Sequence, residues 1–228
     1  MKALLIGWIL VIGIAFGDDL AAAKQKFAKQ DEALNQAYVA LKKELPAEVF
    51  AQVQADQREW VDYRNYLSES QEREGQPETA VERWELAASL TEGRIGWLNA
   101  WRKRNEREGW SGSYSDGRGG NLGIVEKDGK VWFRFNVVRG RSFHLGEIAG
   151  TLRLNGRLGM FEVKAEGEDD PTWLFFIESG DKGGRVTVEG ENTNSFTGAR
   201  AYFEGDYLWT GPLDAEAQKA VIEGDPDK

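Results

Sequence analysis

The sequence contains no cysteine and a single histidine among its 228 residues. Without cysteine there is no disulfide, no thiolate metal site, no cysteine nucleophile and no lipid-bearing N-terminal cysteine. One histidine excludes a multi-histidine metal centre. Basic residues are also in deficit, 29 against 38 acidic, for a net charge of −9. A phosphate-binding surface needs an excess of Lys and Arg, so a nucleic-acid partner is not expected. No apolar run reaches the roughly 20 residues that span a bilayer. What is present, 41% hydrophobic and 11% aromatic residues, is the composition of a folded protein.

The apolar run Ala3–Phe16 is 14 residues long, follows Lys2 and ends before Gly17 and the acidic pair Asp18-Asp19. A charged start, a short apolar centre and small residues at Ala15 and Gly17 describe a secretory signal over residues 1–17. Cleavage after Gly17 removes Lys2 and takes the charge from −9 to −10. The expected product is periplasmic or secreted, with no stable membrane anchor.

Glycine divides the remainder. Twenty of 27 glycines fall in Gly109–Gly211 and three in Asp18–Glu108. Glycine is costly inside helices and useful in tight turns. The reading is a helical domain over residues 18–108, a β domain over 109–211 and an acidic tail over 212–228. In the first, Phe27, Leu34, Tyr38, Leu41 and Leu45 share one helix face. Phe50, Val53, Gln57, Trp60, Arg64 and Leu67 share a second, after Pro46, and Ala80, Trp84, Ala87, Thr91, Arg94, Leu98 and Trp101 a third. Gly75 and Pro77 punctuate the second and third helices. Three such helices on short connections predict an antiparallel bundle. Gln57, Arg64, Thr91 and Arg94 fall on seam positions, and a buried arginine must be hydrogen-bonded or paired. An internal polar network follows, with Asn35, Tyr38, Asp62 and Glu92 as available partners. The basic cluster Arg102, Lys103, Arg104 and Arg107 suits the end of the third helix.

Leu34-Asn35, Tyr38, Leu41, then Gln57, Trp60, Tyr63-Arg64, and Thr91 with Arg94 resemble the N-terminal domain of LprI-like lysozyme inhibitors, over roughly Leu20–Arg104. The resemblance implies an envelope or secreted helical module and, by analogy, inhibition of lysozyme. It assigns Asn35, Tyr38, Gln57, Trp60, Arg64, Thr91 and Arg94 to the family motif. The sequence departs from that family at Asn65, where members have Asp, and at Ser68, where the first of two cysteines is expected. A lost disulfide costs about 2–4 kcal/mol, which the tryptophans Trp60, Trp84, Trp97 and Trp101 can offset.

From Trp110 onward the alternation has period two, with Val131, Phe133, Phe135 and Val137 on one face and Trp132, Arg134 and Asn136 on the other. Asp128-Gly129 and Asn155-Gly156 are hairpin signals. Strands are expected near 111–115, 122–127, 130–138, 143–154, 158–164, 172–178, 185–189 and 200–208. About eight short strands predict a small antiparallel β-barrel or sandwich. The fold class is therefore α+β in two segregated domains. The segments His144–Gly150 and Gly198–Gly205, with Tyr207, look like the β domain often appended to LprI-like modules.

Signals of catalysis are thin. His144 with Ser142 or Ser195 has no Gly-x-Ser-x-Gly context and reads as a strand residue. Ser115–Asn121 lacks the ligand order of a calcium loop, and Gly117, Gly119, Gly120 and Gly123 lack the strand-to-helix context of a phosphate loop, so a hairpin turn is expected there. Glu166, Glu168, Asp169 and Asp170 precede Pro171 on a loop that suits partner binding better than glycosidase chemistry. No cofactor and no enzyme activity are expected. The favoured reading is a binding protein for lysozyme or another cell-wall hydrolase. The alternatives are a non-inhibitory envelope scaffold and a small-ligand carrier using the barrel.

Overall fold

The computed structural model describes residues 7–69, 79–140, 144–179 and 184–224. Two compact units meet at Ile95 and Gly96, a division that falls inside a helix. The first six residues of the expected signal, together with Gly75, Pro77 and Ser142, lie outside the described residues. The rest of the apolar run forms the first turns of α1 (Gly7–Glu44), followed by α2 (Ala47–Glu69) and α3 (Ala80–Lys103). No described helix is long and apolar enough to cross a membrane.

Local chemistry sets the helix ends. Pro46 immediately precedes α2, and its carbonyl accepts the Phe50 N–H at 2.9 Å. Thr79 and Glu82 form a reciprocal capping box at the start of α3, the Thr79 hydroxyl accepting the Glu82 N–H at 3.2 Å and the Glu82 carboxylate accepting the Thr79 N–H at 2.9 Å. At its end the Arg104 guanidinium donates to the Trp101 carbonyl at 2.6 Å, satisfying a last-turn acceptor. Side-chain pairs fix the helix directions. Tyr38 packs its ring at a tilt against Phe50 and Asp31 pairs with Arg64, so α1 and α2 are antiparallel. Arg64 reaches Thr91 while Arg94 reaches Gln57, so α2 and α3 are antiparallel too. Leu34, Leu41, Phe50, Val53, Trp60, Leu67, Ala87 and Ala88 are buried along these helices.

The second unit is a closed barrel of eight strands, each antiparallel to the next, β1 (Gly112–Ser115) pairing with β8 (Gly205–Gly211). Closure rules out the sandwich alternative and leaves no open edge. Between them run β2 (Gly120–Lys127), β3 (Lys130–Arg139), β4 (His144–Asn155), β5 (Leu158–Val163), β6 (Thr172–Glu178) and β7 (Arg185–Glu191). The β2–β3 hairpin turns on Asp128 (φ 51°) and Gly129 (φ 74°), two left-handed residues as a type I′ turn requires. In the β4–β5 hairpin Asn155 pairs with Leu158, so the turn is Gly156-Arg157, one residue beyond the Asn-Gly signal. The last strand begins at Gly205, not near Arg200, because Arg200 sits at φ 70° in a turn.

Alternate residues point inward, and rings fill the interior. Phe133 lies 4.9 Å from Phe161 and 5.0 Å from Phe176, and Phe135 lies 5.0 Å from Phe203 and 4.8 Å from Tyr207. Gly150 is required here, since a Cβ on it would come within 2.2 Å of the Phe161 ring.

The tail is not simply an acidic extension. A fourth helix, α4 (Ala215–Glu223), is capped by Asp214, whose carboxylate accepts the Ala217 N–H at 2.8 Å. It buries Val221 against the outward-facing Val125 and Trp132 of β2 and β3. The described helices number four where three were expected.

Candidate functional site

The motif residues of the helical unit form two adjoining polar clusters around Trp60, itself 1% exposed. In the first, Arg64 donates to the Asp31 carboxylate at 2.9 Å and to the Thr91 hydroxyl at 3.3 Å. Thr91 in turn donates to the Ala87 carbonyl at 2.7 Å. Asn35 donates to the other Asp31 oxygen at 3.4 Å. The Arg64 guanidinium lies 5.1 Å from the Phe27 ring and 5.3 Å from that of Trp60. In the second cluster Arg94, 1% exposed, donates to the Gln57 side chain at 2.8 Å and to the Asp56 carboxylate, and its guanidinium is also 5.3 Å from Trp60.

Asn35, Gln57, Trp60, Arg64, Thr91 and Arg94 are thus brought together, while Tyr38 instead packs its ring at 5.1 Å on Phe50. The counter-ions are Asp31 and Asp56. Asp62 and Glu92 are exposed and hold neither guanidinium. A signal for Asp31 was present: it sits between Phe27 and Leu34 on the same helical face, in the gap left by the step of seven. Asp56 adjoins Gln57, one position off the seam. The positions that depart from the family pattern are also used. Asn65 accepts from Arg64 at 3.4 Å, and Ser68, where a cysteine is expected, donates to the Arg64 carbonyl at 2.9 Å. Two open grooves adjoin this region. One, of about 460 Å³, is lined by Phe27, Arg64, Asn65, Ser68, Arg83, Trp84 and Ala87, and the other, of about 930 Å³, runs along α1 past Asp31, Asn35 and Val39.

In the β unit, Glu166, Glu168, Asp169 and Asp170 are all exposed on the β5–β6 loop. Glu168 accepts from the Ser195 hydroxyl at 2.8 Å. Ser195 therefore serves a loop contact, and His144 opens β4 opposite Arg139. The Ser115–Asn121 loop is the β1–β2 hairpin. Its Asp116, 8% exposed, accepts the N–H groups of Arg118 and Gly120, each at 2.8 Å, and pairs with Arg139. Arg139 also donates to the Tyr207 hydroxyl at 2.8 Å, which donates to the Phe203 carbonyl at 2.8 Å. Burial opposes the Arg139 charge, but Asp116 and the phenols beside it more than offset this and raise its pKa. Burial, then the Asp116 carboxylate, pushes the Tyr207 phenol well above its ordinary value, with Arg139 pulling the other way. This buried hub left no motif in the sequence because its members are 23 and 68 residues apart.

Residues 17–98 match the family described as Lysozyme inhibitor LprI. The matched stretch contains both polar clusters and ends within α3, before the barrel. No curated protein and no solved structure matches the chain.

Proposed function

We propose that this chain is an exported, non-catalytic binding protein that occludes lysozyme or another cell-wall hydrolase. The match of residues 17–98 to a lysozyme-inhibitor family carries the reading. The signal-like start at residues 1–17 supports export to the periplasm or beyond. An acidic chain also favours capture of a cationic enzyme, through steering and through carboxylates offered to its cleft. Packed rings in the barrel disfavour the small-ligand carrier, which needs an apolar cavity of several hundred Å³.

One observation favours the non-inhibitory envelope scaffold as second reading. The motif residues Gln57, Trp60, Arg64, Thr91 and Arg94 are spent on one another inside the helical unit, so they support the module more directly than any activity. The test is clearing of a cell-wall suspension by c-type lysozyme with increasing amounts of the full chain. Inhibition that saturates near equimolar ratio supports occlusion. Unchanged clearing at about tenfold excess transfers the assignment to the scaffold.

A further inference from the structure

Apolar side chains on the outside of a barrel need a cover, and this barrel covers only some of its own. Val125 and Trp132 project outward from β2 and β3 and are sealed by α4. A second outward stripe lies across the barrel on β5 and β6. Thr172, Leu174 and Phe176 of β6 face inward and are at most 2% exposed, which turns Trp173, Phe175 and Ile177 outward. On β5, Leu158 and Met160 are the cross-strand partners of Ile177 and Phe175. Trp173 and Phe175 have parallel rings, 4° apart in plane with centroids 6.0 Å apart, and Ile177 is 39% exposed. Among the described residues the elements packed most closely on β5 and β6 are the neighbouring strands β4 and β7, and Trp173 and Phe175 stay half-exposed.

Its rim has one dominant sign. Glu189 and Glu191 on β7 stand opposite Phe175 and Trp173, exposed and without a cationic partner among the described residues. The loop bearing Glu166, Glu168, Asp169 and Asp170 leads straight into Trp173. The Trp173 ring already accepts a cation, the Arg153 guanidinium lying 5.9 Å from its centroid. We propose that the β5–β6 outer face is the surface through which the protein docks a basic protein, whose Lys and Arg side chains meet the carboxylate rim while its apolar surface covers Phe175 and Ile177. Two copies of this face would bring like charges together, so the carboxylates select against self-association. The inference rests on the hydrolase-binding reading and places its contact on the barrel, outside the stretch that matches the inhibitor family.

The experiment is calorimetric titration of the full chain with c-type lysozyme at low and at moderate salt. It compares the native chain with Phe175→Ser, with the Glu189→Lys/Glu191→Lys pair, and with Glu223→Lys on α4. Circular dichroism confirms folding, and the charge pair, on exposed positions, keeps the test open if Phe175→Ser unfolds. The expected result is binding weakened about tenfold or more by Phe175→Ser and by the Glu189→Lys/Glu191→Lys pair, with reduced salt sensitivity for the latter, and altered little by Glu223→Lys. Native-like binding by both Phe175→Ser and the Glu189→Lys/Glu191→Lys pair overturns the surface and leaves the function standing. No binding by the native chain overturns both. A dimer in gel filtration that Phe175→Ser dissociates, with lysozyme binding unchanged, makes a second copy the occupant and overturns the proposal.

Discussion

Arg94 and Arg64 look alike in sequence, each a cation on a helical seam, yet their surroundings set different costs for removing them. The Arg94 side chain is fully buried and its partner Asp56 is 25% exposed. Arg64 is 10% exposed and its partner Asp31 38%. Removing one member of a buried pair strands the other, whereas a carboxylate near the surface regains water. Arg94→Leu should therefore cost about 3–5 kcal/mol and Arg64→Leu about 1–3 kcal/mol. Arg94→Lys should fall between the native chain and Arg94→Leu, keeping charge and losing the planar contact with Gln57 and Trp60. Urea titrations followed by circular dichroism near 222 nm, where helix dominates, decide it. Equal small losses for the two leucine variants would mean that the clusters add nothing to stability.

At the scale of elements, α4 is the part of the fold that depends on a single buried contact. Val221→Asp puts a carboxylate into the apolar contact with Val125 and Trp132, where it loses most of its water. The expected outcome is release of α4 with the barrel intact: a red shift in tryptophan emission as Trp132 meets water, and faster proteolysis between Pro212 and Gly224. Retained emission and protease resistance would show that α4 is held by something other than this contact. The same element marks where the sequence stops being legible. Period-two alternation placed seven strands to within about two residues, and a 3.6-residue period placed the three long helices. Helix α4 is only nine residues long, too short for its period to stand out against an acidic composition. The hint lay elsewhere, in Trp132, which strand alternation turns outward and which then needs a cover. Ring closure was equally hidden. It depends on β1 meeting β8 across almost the whole β unit, and no local pattern records so distant a pairing. Among the site residues, the arginines stand out as charges on an apolar seam, whereas their aspartates read as ordinary helix-surface acids, Asp31 on the repeat of α1 and Asp56 one position off that of α2.

Considered as a whole, the molecule has no cysteine and buries arginine and tyrosine networks instead, and these shape its response to pH. Tyr114 and Tyr207 are both fully buried, and their hydroxyls donate to the carbonyls of Trp110 and Phe203. Burial is the main cause that holds each phenol well above its ordinary value, with Arg107 beside Tyr114 and Arg139 beside Tyr207 opposing it only in part. In the unfolded chain both ionise near pH 10. Below that pH the folded and unfolded states bind the same protons at these sites, and their contribution to stability is complete. Above it the unfolded chain releases protons that the native barrel retains, so stability falls by about 1.4 kcal/mol per pH unit for each tyrosine. Replacing both by phenylalanine removes that slope and also breaks three hydrogen bonds, the two carbonyl contacts and the one from Arg139 to Tyr207. The double variant should therefore be less stable than the native chain at pH 8, by about 2–4 kcal/mol. It should lose less with each further pH unit above 10, bringing the two stability curves together. Urea midpoints from pH 8 to 11.5 report both effects, and parallel curves across that range would show that these phenols ionise as freely in the barrel as in water.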